Sequence, residues 1–119
     1  MPTSKTFNAL VVAEINGIFE RTIETKSFSD LPSGDVVVEV VYSSLNYKDA
    51  LSASGNKGVT RHYPHTPGIN AAGIVRSSTT TTFTKGDLVI VGGYGFGTAI
   101  NGGFGQFVSV PTQCVIALP

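Results

Sequence analysis

Ser44-Leu45-Asn46-Tyr47-Lys48-Asp49 is the stretch from which the rest of the chain can be read. It follows the Val-rich run Val36 to Tyr42 and precedes Gly55, so a buried strand hands over to a short helix within a few residues. Asn46 is placed as the helix N-cap, its short side chain accepting from the first free backbone N–H groups. Asp49 falls in the first turn, where a negative charge suits the positive end of the helix dipole. A well-capped helix on a strand end accounts for these residues in purely structural terms. Polar side chains gathered at a strand end also line ligand pockets, so the stretch is the first candidate site as well.

Upstream, Phe7 to Glu14 reads as a strand and Asn16-Gly17 as a type I′ hairpin turn, since both residues accept positive φ. Ile18 to Lys26 alternates apolar and polar residues as the returning strand, which predicts a hairpin with one wet side. Leu31-Pro32-Ser33-Gly34-Asp35 is a turn. Asp35 to Leu45 is then the central strand, and its nearly uninterrupted apolar run predicts burial on both faces. The helix is expected over Tyr47 to Ala53, with Gly55 in the left-handed region that closes it.

Downstream, Asn56 to Thr66 is polar and irregular and holds both histidines, His62 and His65. Two histidines three apart could ligate a metal, but no Cys lies nearby and the loop holds no Asp or Glu. Ile69 to Arg76 reads as a strand whose small residues allow another backbone to approach closely. Ser77 to Thr82 reads as an exposed loop, Phe83 to Asp87 as a turn, and Leu88 to Val91 as a strand. Gly92-Gly93-Tyr94-Gly95-Phe96-Gly97 looks like a phosphate-cradling loop. It fails the G-x-G-x-x-G test and no amphipathic helix follows, so its glycines suit a tight turn or a close approach to ligand. Phe104 to Val110 and Cys114 to Leu118 complete about seven strands with one short helix. That pattern is mainly β and suits a partly open barrel; a self-contained doubly wound nucleotide domain is excluded by its scarcity of helix.

Composition bounds the function. The 119 residues suit one domain, 41% of them hydrophobic and only 13% charged, where about a quarter is usual. With a formal net charge of zero, the chain has no electrostatic footprint for nucleic acid or an anionic membrane. So low a charge fits a domain that covers part of its surface with something else. Cys114 is the one cysteine, which leaves no intrachain disulfide and no CxxC pair and reads as a small buried hydrophobe. No apolar run approaches the roughly 18 residues of a membrane span, and Met1 to Lys5 lacks a signal-peptide core, so a soluble cytoplasmic protein is the default expectation.

Four segments together, Ser44 to Asp49, Pro67-Gly68-Ile69-Asn70-Ala71-Ala72-Gly73, Phe83-Thr84-Lys85-Gly86-Asp87-Leu88-Val89 and Gly102-Gly103-Phe104-Gly105-Gln106-Phe107, carry a resemblance. In order and spacing they resemble the N-terminal, GroES-like catalytic domain of the medium-chain dehydrogenase/reductase superfamily. Within it, S-L-N-Y-K-D followed by P-G-I-x-x-A-G looks most like the acrylyl-CoA reductase and quinone oxidoreductase branch, which is zinc-independent and NADPH-dependent. The resemblance implies one domain over residues 1–119, a partly open GroES-like β-barrel with one or two short helices. It also implies that the Rossmann domain holding most of the dinucleotide lies outside this chain, and that the whole enzyme is a homodimer acting on a small molecule.

Where zinc alcohol dehydrogenases carry cysteine, histidine and glutamate, this chain has Asn46, Ile69 and Asn70; amide and alkyl groups make a poor zinc site, so no metal is expected. The branch usually shows an aspartate where Asn70 stands, and that charge is absent here. The implied reaction is hydride transfer from NADPH to the β-carbon of a conjugated enoyl thioester or quinone. Without a metal, the developing enolate needs hydrogen-bond donors. Tyr47 is the first candidate, as donor and proton source. Asn46 would position the nicotinamide or its ribose, and Lys48 would attract an anionic cofactor or CoA phosphate. Asp49 reads as a cap or orienter rather than a general base. Tyr63, Tyr94 and Phe96 are candidate pocket walls, with Pro64 beside them; Arg61 and His62 could meet phosphates. Ordinary packing or solvation explains each of these as well. The alternative function is a stand-alone β-barrel binding or interaction module without redox activity.

Overall fold

The computed structural model describes residues 6–32 and 34–118; the expectations at Met1 to Lys5, at Ser33 and at Pro119 fall outside them. Thr6–Ile15 (β1) and Ile18–Ser27 (β2) form an antiparallel hairpin in continuous register from Thr6↔Ser27 to Ile15↔Ile18. Asn16 at φ 53° and Gly17 at φ 79° make its turn, the geometry that lets two strands follow their natural twist. The hairpin is wetter than the alternation predicts. β1 supplies Phe7, Ala9, Val11 and Val12 to the interior, whereas Ile18 and Ile23 of β2 stand exposed. Alternation marks two faces, but on the apolar one only Phe19 is half-buried, against Tyr63, and Ile23 is left open.

A second sheet has the order β6-β3-β4-β5-β7, built from Val36–Ser43 (β3), Asn70–Ser78 (β4), Leu88–Gly92 (β5), Phe107–Val110 (β6) and Val115–Ala117 (β7). All its neighbours run antiparallel. The fold is therefore mainly β with one α-helix, and its two sheets stay open. Isolated bridges Ala9↔Gly105 and Val12↔His65 tie the hairpin to the loops around the larger sheet. The predicted strand from Phe104 begins only at Phe107, because the Phe104 backbone is engaged elsewhere: its N–H donates to the Pro67 carbonyl and its carbonyl accepts from Leu10. Cys114 lies in a short 3-10 turn, Thr112–Cys114, and is fully buried.

One face of the larger sheet makes the core, in which Val36, Val38, Val75, Val89, Val91, Val108 and Val110 pack with Phe96 and Cys114. Valine suits this position because its branched side chain is stiff and fits a pleated surface. The other face is open, which corrects the expectation for the central strand. Only Val36 and Val38 of β3 are buried, while Val41 and Tyr42 are 50% and 75% exposed. The cross-strand partners Tyr42↔Ala72, Ala72↔Ile90 and Ile90↔Ile116 place an apolar row across four strands on that open face.

The helix spans Tyr47–Ala53 (α1) as the sequence predicts. Gly55 stands at φ 94°. Its N–H reaches the Ser52 carbonyl at 3.2 Å, and the Asn56 N–H reaches the Leu51 carbonyl at 3.0 Å. These two bonds close the helix as a Schellman motif.

Candidate functional site

The join of β3 and α1 is held by Asp49. Its side chain is 1% exposed, a position where a carboxylate needs hydrogen-bond donors. Oδ2 accepts the Asn46 backbone N–H at 2.8 Å and Oδ1 accepts the Ile69 backbone N–H at 3.0 Å. One buried carboxylate thus pins the helix start to Ile69, the residue that leads into β4. Asn46 is the N-cap, as expected, and forms a capping box with Asp49: its side chain faces the Asp49 backbone N–H, short of a full hydrogen bond, and the Asp49 carboxylate takes the Asn46 backbone N–H. The N–H₂ of the Asn46 amide is left to turn toward β4.

That amide joins a small polar cluster. Asn46 Nδ2 donates to Ser44 Oγ at 2.9 Å, to Asn70 Oδ1 at 3.2 Å and more weakly to Asp49 Oδ2 at 3.4 Å. Ser44 Oγ donates to the same Asn70 Oδ1 at 3.3 Å. Ser44 and Asn70 are exposed and Asn46 is half-buried. The cluster stands at one end of an open groove of about 300 Å³ lined by Tyr42, Ser43, Ser44, Asn70, Ala71, Ala72 and Ile90. A second, almost wholly apolar groove lined by Val41, Tyr42, Ala72, Gly73, Ile74, Leu88 and Leu118 continues along the same face.

The other candidates separate. Tyr47, in the first turn of α1, is 78% exposed, and Lys48 beside it is exposed too. Tyr63 is a strut: Oη donates to the Ser52 carbonyl at 2.6 Å, and its ring meets Phe19 edge-on at 5.0 Å. Tyr94 is 71% exposed at φ 53°, and Phe96 is packed in the core. Tyr63, Tyr94 and Phe96 thus have three different surroundings, and none of them lines the two grooves of the open face. Arg61, His62 and Pro64 are exposed.

His62 and His65 part company, because His65 is buried and its Nε2 lies 2.8 Å from the Gly97 carbonyl. A carbonyl only accepts, so Nε2 carries the proton. Burial holds the imidazole below its ordinary value, with the Gly97 contact acting the other way. Among the described residues, no three His, Cys, Asp or Glu side chains gather as a metal set, and no helix is long and apolar enough to cross a membrane. The Gly-rich loop turns on itself. Phe96 N–H donates to Gly93, Gly97 N–H to Ile100, and the N–H groups of Thr98, Ala99 and Ile100 to Gly95. Those donors are engaged inside the protein and cradle no phosphate.

Sequence reading missed Ser44, and it set Asn46 with Asn70 only through the resemblance, without their direct hydrogen bond. The available signal was the period of two along β4, which sets Asn70 on the open face with Ala72 and Ile74. The partner strand that brings Asn46 to it lies 24 residues away in sequence.

Residues 32–119 match the alcohol dehydrogenase GroES-like domain family. An acrylyl-CoA reductase, AcuI, of Ruegeria pomeroyi is 41% identical over 95% of this chain and 35% of its own length. The Bacillus subtilis protein YhfP, provisionally named a quinone oxidoreductase, is 40% identical over 82% of this chain and 29% of its own. Its crystal structure with NAD bound superposes at TM-score 0.92, covering 98% of this chain and 35% of that one at 37% identity. The YhdH oxidoreductase of Salmonella enterica, in complex with NADP, superposes at TM-score 0.90, covering 94% of this chain and 35% of that one at 38% identity. The chain spans about a third of the length of the relatives it matches.

Proposed function

The chain belongs to the alcohol dehydrogenase GroES-like domain family, and on that premise we propose that it is the substrate-side domain of an NADPH-dependent, zinc-independent reductase of conjugated enoyl thioesters or quinones. The observation that carries the reading is the neutral Ser44–Asn46–Asn70 cluster at the end of an apolar groove. Two of its members, Asn46 and Asn70, stand at positions where the resemblance sets zinc ligands in the alcohol dehydrogenases. Hydroxyl and amide groups bind a soft divalent cation poorly and hydrogen-bond a carbonyl well.

The cofactor, when bound, supplies hydride. The residues of this chain supply position and polarity. Asn46 keeps a neutral amide beside the reacting face, held from behind by Ser44 and Asp49. Lys48 offers an exposed cation to a phosphate. Tyr47 holds its phenol clear of the helix, where it donates to the oxygen that gains charge and returns a proton to the product. A nucleotide-binding domain completes the cofactor site, and two copies form the working enzyme. The relatives named for acrylyl-CoA and quinone reduction, and the relatives with bound NADP or NAD, support this reading.

Steady-state assay of the full-length enzyme against acrylyl-CoA and a quinone, with NADPH and NADH, tests it. Reduction of one substrate class with NADPH is the expected result, and no reduction of either overturns the reading. In that enzyme Tyr47→Phe is expected to lower turnover by about 10²- to 10⁴-fold with thermal stability unchanged. Unchanged turnover would remove Tyr47 from the chemistry.

A further inference from the structure

We propose that Asn70 is a second substrate-contacting donor, beside Tyr47, and the one that this groove supplies: its side-chain N–H₂ binds the carbonyl oxygen of a neutral conjugated carbonyl compound whose apolar body lies on Ala72 and Ile90. The ligand class rests on the function proposed above; the orientation of the donor rests on the geometry alone.

An amide can present either its oxygen or its nitrogen, so something must decide. Asp49 decides. Both Asp49 oxygens already accept backbone N–H groups, and Oδ2 lies 3.4 Å from Asn46 Nδ2. Asn46 therefore turns its N–H₂ toward Asp49, Ser44 and Asn70. Facing that N–H₂ and the Ser44 hydroxyl, Asn70 must present Oδ1, which takes both bonds. Its own N–H₂ is then directed away from the cluster, and among the described residues it donates to no protein group. It lies across the β4–β5 pair at Gly92, where an added Cβ would come within 3.2 Å of Nδ2. Asn70, Ala72 and Ile90 line the same groove.

Polarity thus passes from a buried carboxylate through two amides to a donor at the mouth of an apolar channel. A ligand with an acceptor oxygen and an apolar body matches it. An aspartate at this position would keep both bonds to Asn46 and Ser44, yet would face the ligand with an acceptor and a negative charge. Residue 70 thereby selects what the groove takes.

The test needs no cofactor. Cyclohexenone is titrated into the isotope-labelled chain, and the Asn70 side-chain N–H₂ resonances are followed by NMR. They are expected to shift together with the Ala72 and Ile90 backbone signals, with half-saturation on the order of millimolar. Asn70→Asp is expected to weaken the probe by about tenfold at neutral pH and to recover part of that loss as its carboxyl is protonated. Gly92→Ala, which crowds Nδ2 without altering Asn70, is expected to weaken it severalfold. It carries the test should Asn70→Asp misfold. Asn70 resonances that stay put at saturating probe, or equal affinity in both variants, overturn the assignment. The reductase reading stands or falls separately, on NADPH-dependent turnover.

Discussion

Asp49 braces the candidate site from inside the fold. Its two oxygens accept backbone N–H groups from Asn46 and Ile69, and it is almost fully enclosed. An amide in its place keeps one acceptor and sets an N–H₂ against a second N–H. Asp49→Asn is therefore expected to cost about 2–3 kcal/mol in urea unfolding. A loss below about 0.5 kcal/mol would show that the pinning contributes little. His65 gives the fold a pH dependence whose sign follows from burial. Its folded value lies below its ordinary one, so the unfolded chain takes the proton first. The contribution is fully present above the ordinary value, about pH 6.5, and is lost as pH falls below it. Between about pH 7 and pH 5 the wild type should lose stability more steeply than His65→Gln. Parallel curves would exclude the imidazole as the cause. By contrast the Lys57–Glu14 pair is 2.7 Å long but half in solvent, and contributes no more than about 1 kcal/mol.

At the scale of elements, α1 is short and depends on its ends. A helix of seven residues cannot persist by propensity alone. It is held at one end by Asp49 and closed at the other by Gly55. Gly55 answers two demands at once: φ of 94°, and a ring of Phe19 lying where a Cβ would stand. Gly55→Ala is expected to lower stability by about 2–3 kcal/mol, from left-handed strain plus crowding against β2. Thermal or urea unfolding measures it, and a change under about 0.5 kcal/mol would mean that Phe19 simply moves aside. The helix, the hairpin and both glycine positions of its turn and cap were legible because each rests on local chemistry: φ preference, periodicity and short polar side chains. The start of β6 and the exposed half of β3 were not, because neighbours distant in sequence decide them. Phe104 is claimed by Pro67 and Leu10, and no second layer covers Tyr42.

For the whole molecule, the low charge content has a place in the structure. Tyr42, Leu88, Ile90 and Ile116 stand exposed on the open face of the larger sheet, adjoining the polar cluster at Asn70. Such a surface is a site for further contacts. For this chain alone, calorimetric titration is expected to show negligible NADPH binding, since the Gly-rich loop engages its own donors and Lys48 is exposed to solvent. Micromolar affinity would overturn that expectation. The sequence by itself determined the β-rich class, the strand–helix join at Ser44 to Asp49, and the absence of zinc-type ligand residues at Asn46, Ile69 and Asn70. Residue identity and local backbone preference suffice for those. Only the tertiary structure decided that the Asn46 N–H₂ goes to Ser44 and Asn70, that Phe96 belongs to the core, and that Tyr63 is a strut. Those outcomes depend on which strands pair and on which hydrogen-bonding groups burial leaves within reach. Local pattern does not encode contacts made across so many residues.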